Sequence, residues 1–301
     1  MTAAHSFSLF QFVASPFNTL AFVFLILTTA SFWVYKRIWL WGPLLLASCV
    51  LAYFAGMLDY EIFIPILLLF SAYLVLKTRL HPVARLLVCF IIALLSLAFS
   101  FHLYPDIRNW LLADGVQLSQ DAPSFNYFWN FDKPFIGLFV LGLRLKLIEN
   151  REDLKRILLK TVIFTACLVA VFCVGSLLFD VVRFDFKLPF LTFAWLIGIL
   201  FFTVIPEEAF FRGFLQEEIK NAIDSRLSPF ISIFLVSLAF AAAHVFFISN
   251  FSYIALAFVA SFAYGLIYEL TKSIESAIFA HYMLNVVHFI FFTYPILSSA
   301  A

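Results

Sequence analysis

Three short stretches in the last hundred residues hold polar groups where the surrounding sequence is apolar. The first is "PEEAFFRGFLQEE", residues 206–218, which follows an apolar run long enough for a lipid bilayer. A carboxylate or guanidinium near the bilayer centre costs roughly 2.5–3.5 kcal/mol on insertion scales. Glu207, Glu208 and Arg212 therefore need a reason to be there. Successive residues on an α-helix turn by about 100°, so Glu208 and Arg212, one turn apart, share a face and are expected to pair. Pairing lowers the cost of burying both. Glu207 points elsewhere and is left as the carboxylate with no local partner.

The second stretch is "FAAAH", with Phe240 and His244 one turn apart on an apolar helix. The three alanines between them let a neighbouring helix approach closely. The midpoint between Glu207 and His244 falls in the turn signal "DSRLSP" at 224–229. Two antiparallel helices joined there carry the two residues to similar distances from the turn. The third stretch is "HYMLN", in which His281, Asn285 and His288 line one face of a helix. Such a stripe faces protein or water rather than lipid. Interhelical hydrogen bonding at about 1 kcal/mol per contact accounts for any one of the three stretches. It accounts less well for all three together.

A carboxylate beside an imidazole can take a proton from water and deliver it to a leaving group. A histidine and an asparagine one turn apart can donate to a developing oxyanion. Together they suit amide hydrolysis without a covalent nucleophile. Zinc held by Glu207, His244 and His281 is the alternative within the same residues. Neither H-E-x-x-H nor G-x-S-x-G occurs. A transporter using buried ionisable groups is a further class, but it predicts inverted repeats and paired broken spans, which the sequence lacks; a non-proteolytic membrane chaperone or immunity factor is a third, favoured only if motif residues were lost, and the motif residues are present.

The elements that must position these groups are membrane helices. The chain has 301 residues, 64% hydrophobic and 12% charged, with a mean hydropathy of +1.03. Soluble domains are about half apolar and a quarter charged. Continuous rather than alternating apolar runs favour helices over a barrel, so an all-α polytopic bundle of about nine or ten spans is expected. The spans fall near 17–35, 38–57, 61–76, 84–104, 157–179, 189–211, 229–249, 251–270 and 275–295, with a short run at 134–145. No basic residue precedes Lys36, so the first run reads as a span rather than a cleaved signal. The four cysteines all sit in apolar runs, without a C-x-x-C pair. The polar stretch 144–156 divides an N-terminal bundle of unknown role (1–150) from a catalytic bundle (151–301). The net charge of +1 gives no sign of a nucleic-acid partner.

If the short run 134–145 crosses, only Arg108, Lys133, Arg183 and Lys187 of the nineteen Lys and Arg lie on one side. The positive-inside rule then puts the N-terminus outside and the end of the Glu207 helix at the cytoplasmic side. If the run is re-entrant, the C-terminal half inverts and the bias weakens, so crossing is the expectation. Residues near "ELTKSIES" (269–276) read as a solvated loop. One difficulty is depth: His244 lies about 15 residues up its helix and His281 about 7 up its own, roughly 10 Å apart along the bundle.

"EEAFFR", "FAAAH" and "HYMLN" resemble the E-E-x-x-x-R, F-x-x-x-H and H-x-x-x-N signatures of the CAAX protease and bacteriocin-processing (CPBP, or Abi) family of intramembrane endopeptidases. The resemblance covers roughly residues 155–292. It implies that Glu207 and His244 activate the water, that His281 and Asn285 stabilise the oxyanion, and that Glu208 and Arg212 support the site. It also implies a multi-pass membrane protein, expected in a bacterial inner membrane, acting on a peptide or lipidated peptide. No firm cofactor follows; zinc is the one possible metal.

Overall fold

The computed structural model describes residues 15–246, 248 and 250–300; residues 1–14 and the last positions of the expected span 229–249 lie partly or wholly outside these. The chain is mostly helical, at 69%, and its helices group into two units. The first comprises residues up to Asp114, Tyr127–Leu147 and Ile197–Phe210; the second comprises Gly115–Asn126, Ile148–Leu196 and the chain from Phe211 onward.

In the first unit, α1 (Pro16–Ser31) packs along α2 (Ile38–Phe54), and α3 (Phe63–Val75) along α4 (Pro82–Ser100). The α1–α2 and α3–α4 turns lie at one end. The α2–α3 turn lies at the other, where Arg108 Nη1 donates to Gly56 O at 2.9 Å and Leu58 bridges to Ile107. The short apolar run forms α5 (Phe135–Leu143), whose residues from Phe135 to Leu141 are all buried. It begins beside Asn109, whose Oδ1 accepts from Phe131 N at 2.7 Å. It ends at Leu145, whose carbonyl accepts from Lys36 Nζ in the α1–α2 turn. Nine helical residues rise only about 14 Å, yet with its extended flanks the run joins opposite ends of the unit.

The second unit is built on α6 (Arg151–Leu178), α8 (Ser228–His244), α9 (Phe251–Thr271) and α10 (Ile274–Phe291). Asn150 caps α6 by accepting from the backbone of Glu152 and Asp153, and the two acids complement the helix dipole. At the same end Ile148 N donates to Glu275 Oε1 at 2.8 Å. The opposite end is closed by extended chain: Asp185 N donates to Phe291 O, Lys187 N to Ile290 O and Leu297 N to Val181 O. Burial holds the Lys187 ammonium below its ordinary range although Asp185 lies beside it.

A helix of 31 residues, α7 (Thr192–Ala222), passes through both units. It is not uniformly α-helical. Pro206 has no N–H to give and its ring crowds the carbonyl of Phe202; there the chain widens into a π-helical stretch, Leu200–Val204, in which Ile205 N bonds Leu200 O. A second π-helical stretch, Ala209–Gln216, follows Ile205–Glu208. The α-helical face argument for Glu208 and Arg212 thus rests on a geometry this segment does not have.

One further expectation needs correction. The polar stretch 105–133 contains a hairpin, β1 (Trp110–Val116) and β2 (Phe125–Trp129), so the fold is not purely α. Gly115 sits at φ +57 as the chain leaves β1, a conformation that suits glycine. Among the described residues five helices, α4, α6, α7, α9 and α10, are long and apolar enough to span a membrane, and four apolar helices are shorter, so the length of the helices by itself supports five of the nine or ten expected spans. These helices end earlier than expected: α1 stops at Ser31 and α8 at His244. Only 17% of the most apolar stretch of α4 and 22% of that of α6 is buried, against 56% for α7. The outer faces of α4 and α6 are therefore suited to lipid.

Candidate active site

In the second unit a cavity of about 130 Å³ collects the second and third motifs. His244, His281, Asn285 and His288 all line it, among apolar side chains that include Phe172, Leu256 and Val287. Despite the expected depth mismatch, His244 and His281 line the same cavity. Phe240 is twelve residues into α8 and His281 seven into α10, yet their ring centroids are 6.0 Å apart.

Each imidazole is fixed differently. His244 Nδ1 lies 2.8 Å from Phe240 O. A carbonyl only accepts, so Nδ1 carries the proton and Nε2 is the basic nitrogen of the neutral ring. His281 is buried and stacks on Tyr264, with centroids 4.6 Å apart and planes 14° from parallel. His288 Nε2 donates to Thr293 O at 3.2 Å, tying the end of α10 to the extended cap. Beneath that cap Trp195 Nε1 donates to the Tyr294 hydroxyl at 3.2 Å, and burial pushes this phenol up, so it stays neutral. Asn285 has no side-chain hydrogen bond among the described residues, and its amide borders the cavity.

Arg212 is fully buried and anchors the rings around the histidines. Its Nη2 donates to Ser261 O and Ser261 Oγ, both at 2.7 Å. Its guanidinium lies 5.4 Å from the Phe240 centroid, 5.5 Å from Tyr264 and 5.8 Å from Phe211, within cation–π range. Phe240 and Tyr264 are also the rings that touch His281. Arg212 thus acts on the cavity through aromatic side chains. Four residues on, Gln216 Nε2 donates to Gly265 O, where a Cβ would lie 2.9 Å from Gln216 Oε1. Only glycine lets α9 come this close.

Glu207 and the buried Glu208 belong to the first unit. Glu207 has a partner far along the chain: Lys133 Nζ lies 2.7 Å from its Oε1, with both side chains about nine-tenths buried. Lys133 is itself held in place. Its backbone N donates to Asp132 Oδ1, while Asp132 Oδ2 lies 2.6 Å from His102 Nδ1 and accepts from Asn109 Nδ2 at 3.3 Å. Gly137, one turn into α5, meets Pro206 so closely that a Cβ there would be 2.6 Å from Pro206 Cα. The sequence presents Lys133 only as a charge for assigning topology. The signal that marks it is an Asp–Lys pair placed directly before an unbroken apolar run.

Among the described residues no three His, Cys, Asp or Glu side chains are grouped as metal ligands.

No curated protein and no solved structure matches the chain. Residues 189–287, which contain all of Glu207, Glu208, Arg212, His244, His281 and Asn285, match the family described as type II CAAX prenyl endopeptidase Rce1-like. Over this segment, about a third of the chain, the protein is similar to CAAX endopeptidases of the Rce1-like family, and its long apolar helices suit a multi-pass membrane protein.

Proposed function

We propose that the chain is an intramembrane endopeptidase that hydrolyses a peptide bond of a membrane-associated substrate with water as the nucleophile. The observation that carries this reading is the single cavity onto which His244, His281 and Asn285 converge. Glu207 and His244 supply the carboxylate and imidazole that take a proton as water attacks the carbonyl carbon. Lys133 orients Glu207 for that task. The Asn285 amide and the His281 imidazole donate to the oxyanion of the tetrahedral intermediate. The abstracted proton passes to the leaving amine as the C–N bond breaks. Glu208 and Arg212 support the site, Arg212 by fixing Phe240 and Tyr264. The end of α7 is proposed to face the cytoplasm, following the Lys and Arg bias.

The test compares membranes carrying the wild type, Glu207→Gln and Asn285→Ala by quantitative proteomics of new chain termini. Both variants are expected to accumulate an uncut precursor that the wild type removes. Identical terminus profiles in all three would overturn the proposal.

A further inference from the structure

His102 stands where a helix commonly ends on glycine. Past α4 the chain closes with Leu103 N donating to Ala98 O at 2.9 Å and His102 N to Phe99 O at 3.3 Å. In this arrangement the residue after the cap turns left-handed, which suits glycine because a Cβ crowds the backbone there. His102 takes the position with φ +55. A side chain kept in the left-handed region against this preference directs attention to what it touches.

It touches Asp132. His102 Nδ1 lies 2.6 Å from Asp132 Oδ2, with the imidazole 38% exposed and the carboxylate 2%. A carboxylate accepts, so Nδ1 carries the proton. The Asn109 amide nitrogen, 3.1 Å from that Nδ1 and 3.3 Å from Asp132 Oδ2, therefore donates to the carboxylate. Asn109 Oδ1 accepts from Phe131 N at 2.7 Å and so fixes the residue before Asp132. The other Asp132 oxygen accepts from the backbone N of Lys133 at 2.9 Å. All of these residues, with Glu207, lie within the first unit. Asp132 thus has one oxygen on the turn that carries Lys133 and the other on a ring from the end of α4. Without that ring the carboxylate has a bonding position to fill and can swing toward water, which disturbs its bond to the Lys133 backbone.

We propose that His102 and Asp132 are positioning residues for the hydrolysis: through the Lys133 backbone they place the ammonium that orients Glu207. The consequence for turnover rests on the peptidase reading, whereas the placement of Lys133 does not. If His102 only ends a helix, glycine is the better residue in its place. If its side chain is needed, asparagine is better. Asparagine tolerates the left-handed region, and its amide nitrogen is as many bonds from Cβ as the imidazole Nδ1.

Full-length wild type, His102→Gly and His102→Asn are compared in membranes by two readouts. The first is placement. A membrane-permeant carbodiimide activates the Glu207 carboxyl; the Lys133 amine then attacks it, an isopeptide bond forms, and the departing oxygen leaves in the urea. The cross-linked peptide is quantified by mass spectrometry. Its yield follows proximity and should fall about threefold or more in His102→Gly and stay near wild type in His102→Asn. The second readout is removal of the precursor that Glu207→Gln accumulates. Misplacing a reacting group by about 1 Å can cost about 10²-fold, so removal should slow about tenfold in His102→Gly and recover in His102→Asn. Glycine suits the backbone there, so His102→Gly should accumulate normally; if it does not, His102→Ala carries the same two readouts.

Wild-type cross-linking and turnover in His102→Gly would overturn the inference, and so would His102→Asn failing as badly as His102→Gly. Reduced cross-linking with unchanged turnover would also overturn it and make the pair structural only. If Glu207→Gln itself accumulates no precursor, the peptidase reading falls and takes the role in hydrolysis with it.

Discussion

The two units handle buried polar groups in opposite ways. In the first, Asn109, His102, Asp132, Lys133 and Glu207 form a chain of contacts at 2.6–3.3 Å with a packed apolar helix directly behind it. In the second, His244, His281, Asn285 and His288 border open volume. A buried charge without a partner costs several kcal/mol, so the first cluster is what a packed interior demands. A polar group beside a cavity keeps bonding capacity for a ligand. The contrast is between a carboxylate held by a buried cation in the first unit and polar groups that line a cavity in the second.

The largest effect is expected where the packed cluster supplies the reacting group. Glu207→Gln keeps the volume and can still bond Lys133, but removes the base. A general base contributes about 10²–10⁴-fold, so turnover of a purified substrate should fall by that factor with the melting temperature nearly unchanged. Near-normal turnover would transfer the role to Glu208.

Asn285→Ala tests the open side of the contrast. Removal of one oxyanion donor typically costs about 10²–10³ in kcat. KM should change little, because these bonds strengthen mainly in the transition state. A raised KM with intact kcat would make Asn285 a substrate-binding residue.

Lys133→Met probes whether the packed cluster does more than hold the fold. A hydrogen bond to a charged group is worth about 1.5–3 kcal/mol, so its loss predicts roughly a 10- to 150-fold drop in kcat/KM. Lys133→Arg, which keeps the charge, should recover part of it. Gly137→Ala should show a smaller version of the same defect. Its new methyl group meets the Pro206 backbone, and overpacking of this kind costs about 1–3 kcal/mol. If Lys133→Met lowers the melting temperature yet leaves kcat/KM intact, Lys133 is structural only.

These residues also mark how far the sequence could be read. The three motifs and the helical character follow from helical spacing, because that spacing is local; that His244, His281 and Asn285 line one cavity does not, since they lie on separate helices. Arg212 was legible as a supporting residue, but its route through Phe240 and Tyr264 depends on rings from α8 and α9 that no local period relates to it. Lys133 was missed because its partner lies 74 positions away. The π-helical turns were missed because a uniform 100° rotation was applied across Pro206, the residue that breaks it. The hairpin was hidden by the chain's composition, in which alternation over a few residues is faint beside runs of twenty.

The smallest effect, and the last way to sharpen the contrast, is metal removal. A zinc site built on Glu207, His244 and His281 would require two of the cavity's imidazoles and the carboxylate of the packed cluster to act as ligands. Zinc ligands lie about 2.0–2.2 Å from the ion and are oriented by second-shell bonds. His244 does have such a bond, from Nδ1 to Phe240 O, but the same bond equally poises Nε2 as a base. His281 stacks on Tyr264, a ring contact that a ligand role would have to preserve. Lys133, at 2.7 Å from Glu207, places a positive charge where a cation would have to approach, which disfavours binding by like-charge repulsion. Activity should therefore survive a chelator within twofold, and elemental analysis of active enzyme should show no stoichiometric metal. One zinc per chain that is lost in His281→Ala together with activity would replace the water-activating Glu–His pair by a metal centre and dissolve the division between the two units.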